Sequence, residues 1–62
     1  MHSDETVPRL MSTEETAHLL GVPISTLAYW RSIGDGPPFF RIGRRVMYAV
    51  QELIDWIKRT RG

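Results

Sequence analysis

Apolar residues recur at helical spacing in three stretches of the chain and at strand spacing in one. Ala17 and Leu20 lie three apart on an inner face, with Leu19 or Thr16 at its edge. Leu27 and Trp30 repeat that interval, with Val22 or Pro23 one turn earlier. Val50, Leu53, Ile54 and Ile57 fit the i, i+3, i+4, i+7 template, and Trp56 broadens that face. Between the second and third of these stretches the period drops to two. Phe40 and Ile42 share one strand face, as do Val46 and Tyr48, on either side of Gly43-Arg44-Arg45. The pattern predicts three helices with a short hairpin, Phe39 to Ile42 and Val46 to Tyr48, between the second and third.

Punctuation residues set the boundaries. Ser12-x-x-Glu15 is a capping box, and Glu14 and Glu15 suit the positive end of a helix dipole, so the first helix runs from about Thr13 to Leu20. Gly21 supplies its left-handed cap. Pro23 opens the second helix, where a missing amide costs nothing. Gly34-Asp35-Gly36-Pro37-Pro38 ends that helix and forces an extended turn. The third helix runs from about Val50 to Arg59, although Ala49 is a poor cap for it. Leu10 and Met11 form an apolar lead-in to the capping box. The hairpin is too small to stand alone and must dock its apolar face on the helices. Trp30, Trp56, Phe40 and Leu53 are therefore assigned to the core. Residues 1–9 are expected to be a disordered leader, 10–59 one domain and 60–62 a basic tail. The fold class is α+β, mostly α.

Composition narrows the chemistry. The chain has 62 residues and no cysteine, and its only histidines are His2 and His18. A structural zinc is not expected, nor is any other metal or cofactor. No apolar run approaches the ~20 residues needed to span a bilayer, and the opening residues are polar. A cytoplasmic protein with no membrane partner is expected. The sequence holds no nucleophile-base-orienter set and no phosphate loop, so no enzyme is expected. Net charge is +1, but unevenly spread. Residues 1–30 sum to −3 and residues 31–62 to +4, and six of the seven positive charges in the second half are arginine. Arginine is the better phosphate fork. Polarity alone leaves a lopsided solvated surface and an anionic partner equally open.

Order and spacing tip the balance. Leu20 to Ile33, LGVPISTLAYWRSI, reads as the turn and second helix of a helix-turn-helix, which presents a helix to the DNA major groove. The hairpin that follows makes a basic wing. The segment from Leu10 to Ile57 resembles the excisionase-type winged-helix family, the small MerR-like group that includes AlpA-like prophage regulators. The marks of the resemblance are Leu20-Gly21-Val22, Ser25-Thr26-Leu27 with Trp30, the RIGRR stretch from Arg41 to Arg45, and Leu53 with Trp56-Ile57. It implies a winged helix-turn-helix that binds double-stranded DNA, often at repeated sites. Such proteins assist a phage integrase in excision or regulate transcription, in a bacterial cytoplasm beside the nucleoid. Integrase and neighbouring copies bound cooperatively on DNA are the further partners implied. Two departures matter. Pro23 stands where the family usually has a capping serine, and Ala28-Tyr29 replaces what is often Tyr-Arg.

The candidate DNA-contacting residues are Ser25, Thr26, Tyr29, Arg31, Arg41, Arg44 and Arg45. Ser25 and Thr26 sit in a first turn, where hydroxyls and free amides take a phosphate or a base edge. DNA contact is favoured for Ser25. For Thr26 a bond to its own helix backbone is an equal alternative. Tyr29 either reaches DNA or packs on Phe39 or Phe40. Arg31 either meets phosphate or pairs with Asp35. Arg44 and Arg45 at the hairpin tip suit phosphate or a narrow minor groove, against a solvated turn as the lesser alternative. Arg41 lies opposite Phe40 and Ile42 and is free to meet phosphate. Lys58, Arg59 and Arg61 read as a dipole-compensating tail. Three functions follow: an excisionase that bends attachment-site DNA, a small transcription regulator, or a protein-interaction module whose arginines meet an acidic partner. Small size favours the first.

Overall fold

Ser12 is where sheet gives way to helix. The computed structural model describes residues 9–61, in the order β1 (Leu10–Ser12), α1 (Thr13–Leu20), α2 (Ile24–Ile33), β2 (Phe40–Ile42), β3 (Arg45–Ala49) and α3 (Val50–Arg61). The capping box forms as the sequence predicts. Ser12 Oγ accepts the Glu15 amide at 3.0 Å, and Glu15 Oε1 accepts the Ser12 amide at 2.9 Å. Thr16, rather than Leu19, takes the inner position beside Ala17. It is fully buried, and its hydroxyl donates to the Ser12 carbonyl at 2.8 Å, which satisfies the polar atom. Thr13 donates to the Val46 carbonyl at 2.9 Å and so ties the first turn of α1 to β3.

Gly21, at φ 72°, ends α1, and the Val22 amide returns to the Ala17 carbonyl at 3.0 Å. Pro23 is the N-cap of α2 rather than its first residue and offers no side-chain bond. The expected leader lies outside the described residues except for Arg9. α3 continues through Thr60 to Arg61, past the expected end at Arg59.

Three strands form the sheet, in the order β1-β3-β2 and antiparallel throughout. β1 was not expected, because three residues are too few for a period to register. Its pairing puts β3 at the centre and gives the hairpin a second support. The ladder also solves the weak start of α3. The Arg9 carbonyl accepts the Val50 amide at 2.9 Å, a backbone partner where Ala49 has no capping atom.

Register decides which face is the core. Arg41 pairs with Val46, Phe40 with Met47, Ile42 with Arg45, and Met11 with Tyr48. Directly opposed residues share a face, so Met11, Arg41, Val46 and Tyr48 look one way and Phe40 and Ile42 the other. Phe40 and Ile42 are 44% and 50% exposed, which corrects the expected docking of that pair and the core assignment of Phe40. Phe39 takes the core position instead, its ring 6.4 Å from that of Tyr48. Two successive phenylalanines fit either phase of a strand, and a shift of one residue exchanges the faces.

The core gathers Ala17, Leu27 and Tyr48, with Leu20, Val22, Trp30, Phe39 and Val46 packed around them. Leu53 of α3 is buried as expected. Trp30 and Trp56 are half-buried, their rings 5.8 Å apart and tilted by 49°, and join α2 to α3. The Gly-Pro loop then folds back on Trp30. Gly36 has φ 82°, and a Cβ there would stand 2.9 Å from both Cβ and Cε3 of Trp30. Gly43, at φ 62°, has open space around it.

These two glycines separate backbone strain from crowding. Gly43→Ala is strained by the positive φ alone, roughly 1–3 kcal/mol. Gly36→Ala adds overpacking, about 1–3 kcal/mol more. Urea unfolding is expected to show the larger midpoint shift for Gly36→Ala at unchanged slope. Equal shifts would mean that the Trp30 ring moves aside freely.

Candidate nucleic-acid interface

Burial splits α2 lengthwise. Leu27 is fully buried, Trp30, Thr26 and Arg31 are half-buried, and Ile24, Ser25, Ala28, Tyr29, Ser32 and Ile33 are exposed. The inner stripe is the one the three-residue spacing predicts. Tyr29, at 61% exposure, is turned out, while Phe39 pairs with Tyr48. Ser32 donates its hydroxyl to the Tyr29 carbonyl at 2.6 Å, which leaves its oxygen as an acceptor. Ser25 is exposed at the start of the helix. Thr26 is set deeper, and its amide is already bound to the Pro23 carbonyl at 3.0 Å, so it is not one of the helix's free donors.

The arginines divide into two groups. Arg31 donates from Nη1 to the Tyr48 hydroxyl at 2.9 Å, and its guanidinium lies 5.8 Å from the Phe39 ring centroid. Asp35 does not receive it. That carboxylate accepts the Gly36 amide at 2.8 Å and holds the loop after α2. Arg41 lies 5.7 Å from the same Phe39 ring. One aromatic ring thus gathers two cations. Arg41 remains exposed, at the outer edge of the inner sheet face.

Arg44 and Arg45 form the second group, and the turn is tighter than the sequence suggests. Only Gly43 and Arg44 lie between the strands, while Arg45 belongs to β3 opposite Ile42. Gly43 has positive φ and Arg44 does not, the requirement of a type II′ hairpin. Both arginines are exposed. Arg45 also borders a shallow groove with Ser12, Thr13, Glu14, Ile24 and Val46. The base of the wing therefore lies beside the N-termini of α1 and α2. The structure brings Ser25, Tyr29, Arg44 and Arg45 to the surface and ties Arg31 and Arg41 to Phe39.

Pattern reading put Tyr48 on one strand face with Val46, as the structure does, but missed its bond to Arg31 and the core place of Phe39. A signal for Tyr48 existed. A tyrosine on a buried strand face needs a partner for its hydroxyl, and Arg31 is a donor in reach of the core. For Phe39 there was none, because Phe40 serves the same period.

Among the described residues no group of three His, Cys, Asp or Glu side chains could hold a metal. No described helix is long and apolar enough to cross a membrane. A helix-turn-helix domain family matches residues 10–61. The chain belongs to this family, which includes excisionase-like and AlpA-like proteins. No curated protein sequence matches the chain significantly. Membership indicates DNA binding. Three helices with a small antiparallel sheet make this helix-turn-helix domain a winged one, with the β2–β3 hairpin as the wing.

The two groups of arginines are expected to part in stability measurements. Arg31→Ala leaves the buried Tyr48 hydroxyl without its donor, a loss of roughly 1–3 kcal/mol. Arg44→Ala removes a solvated side chain and is expected to stay within about 0.5 kcal/mol of the parent. Chemical denaturation of both variants checks this. Similar losses would place Arg44 in the packed structure or Arg31 outside it.

Proposed function

We propose that this protein is a DNA-binding excisionase, a recombination directionality factor that binds and bends attachment-site DNA to promote integrase-mediated excision. In this reading α2 enters the major groove with Ser25, Thr26 and Tyr29, while Arg44 and Arg45 on the wing meet phosphate or the adjacent minor groove. Arg31 and Arg41 add phosphate contacts at the flank with the donors that their Phe39 contacts leave free. The observation that carries the reading is the pairing of an exposed α2 face, free of core duties, with an exposed arginine pair on a tight wing. The absence of charge on that helix face leaves single-copy affinity modest. Several copies on adjacent sites would share the cost of bending, on the order of 1–6 kcal/mol for a ~20–30 bp site. The exposed Leu10, Phe40 and Ile42 on the sheet are consistent with neighbour contacts in such an array. A transcription regulator with the same interface is the second reading, favoured by the AlpA-like members of the family.

Two measurements check the proposal. Arg44→Ala with Arg45→Ala is expected to weaken duplex binding and lower the salt slope by about 1.8, at ~0.9 per phosphate contact. An unchanged slope removes the wing from the interface. Titrating duplexes with one, two and four site copies is expected to give tighter binding per copy and a growing circular-permutation bend. Equal affinity per copy without bending would favour the simple regulator.

A further inference from the structure

The exposed face of α2 has an unusual chemical content for a helix in a major groove. Its six exposed residues are Ile24, Ser25, Ala28, Tyr29, Ser32 and Ile33. None of them is Arg, Lys, Asn, Gln, Asp or Glu. Those are the side chains that recognise guanine or adenine through paired hydrogen bonds, or accept from cytosine. The one cation of the helix, Arg31, is held inward by the Tyr48 hydroxyl and the Phe39 ring. Ser32 has spent its proton on the Tyr29 carbonyl. The hydroxyls of Ser25 and Tyr29 remain, and a single hydroxyl both donates and accepts, so it separates bases poorly.

What the face does offer is apolar surface in register. Ile24 and Ala28 are four apart and so adjacent on the helix. Ile24 is 47% exposed at the end of α2 that borders Arg45 of the wing. Ile24 stands outside the core cluster and leaves about half of its surface open beside the groove it shares with Arg45. The major groove carries one apolar group, the thymine 5-methyl, and small aliphatic side chains are its complement.

Resting on the proposal that α2 is the reading helix, we infer that the protein recognises its DNA through thymine methyl groups, with Ile24 and Ala28 as the specificity-determining residues. The target class is a site with thymines clustered on the wing-proximal side of the contacted major groove. Recognition is then by shape and burial, with the hydroxyls of Ser25 and Tyr29 positioning the helix.

Replacing thymine by uracil removes only the methyl and leaves pairing and hydrogen-bond groups in place. The probe is the tightest duplex recovered from a randomised pool, resynthesised with deoxyuridine. The 62-residue chain is expected to bind the uracil duplex about 4-fold more weakly for each methyl contacted, the worth of one methyl-sized group removed from water. The double variant I24S/A28S, its helicity verified by circular dichroism, is expected to bind the thymine and uracil duplexes equally. Equal binding of the two duplexes by the parent protein overturns the inference while DNA binding stands. A thymine preference that survives in I24S/A28S overturns the assignment to these two residues. Failure to retain any duplex from the pool overturns the proposed function together with the inference.

Discussion

The buried Tyr48 is the constraint on which the rest of the molecule hangs. It sits on the central strand, closes the cluster of Ala17 and Leu27, and places its ring against Phe39. Its hydroxyl is enclosed with the ring, and an enclosed hydroxyl must be paired. Arg31 fulfils that need, and in doing so commits one end of its guanidinium to the sheet. One packing decision in the sheet therefore determines the electrostatics of the helix. With so few buried residues around it, an unmatched hydroxyl here would cost a large share of what the core supplies.

Charge counting alone overstates the cationic surface. The second half of the chain sums to +4, but Arg31 and Arg41 are gathered on the Phe39 ring. The acidic half is likewise partly occupied: Glu15 closes the capping box. What remains outward and unengaged near α2 is the pair Arg44 and Arg45. Near α2 the exposed positive charge is thus that of the wing, while the outer face of the helix beside it carries none. On the proposed reading, such a division would separate attraction to the duplex, which is indifferent to sequence, from base recognition, which is not.

The elements with strong local chemistry were legible in the sequence. Ser12 and Glu15, Gly21, and the Leu53-Ile57 stripe each carry their own instruction, and the three helices lie where those residues place them. The winged helix-turn-helix architecture followed from their order. The sheet was only half legible. β1 is three residues long, below the length at which alternation can be distinguished from a chance apolar pair. The face of β2 was inverted because Phe39 and Phe40 are chemically identical and only the tertiary contact with Tyr48 chooses between them. On the candidate site, the exposure of Ser25, Tyr29, Arg44 and Arg45 was readable from periodicity and turn residues. The engagement of Arg31 and Arg41 was not, because it depends on an aromatic ring brought in from another element.

The lengthwise division of α2 has a consequence for how such a protein changes over time. Leu27 and Trp30 hold the fold, and Ile24, Ser25, Ala28 and Tyr29 do not share that duty. Substitution on the outer face therefore costs little stability, since solvated positions of this kind change folding free energy by roughly half a kcal/mol or less. If that face reads DNA as proposed, a lineage can reach new DNA preferences by single replacements without passing through unfolded intermediates. That independence of the two faces of α2 is what makes diversification accessible.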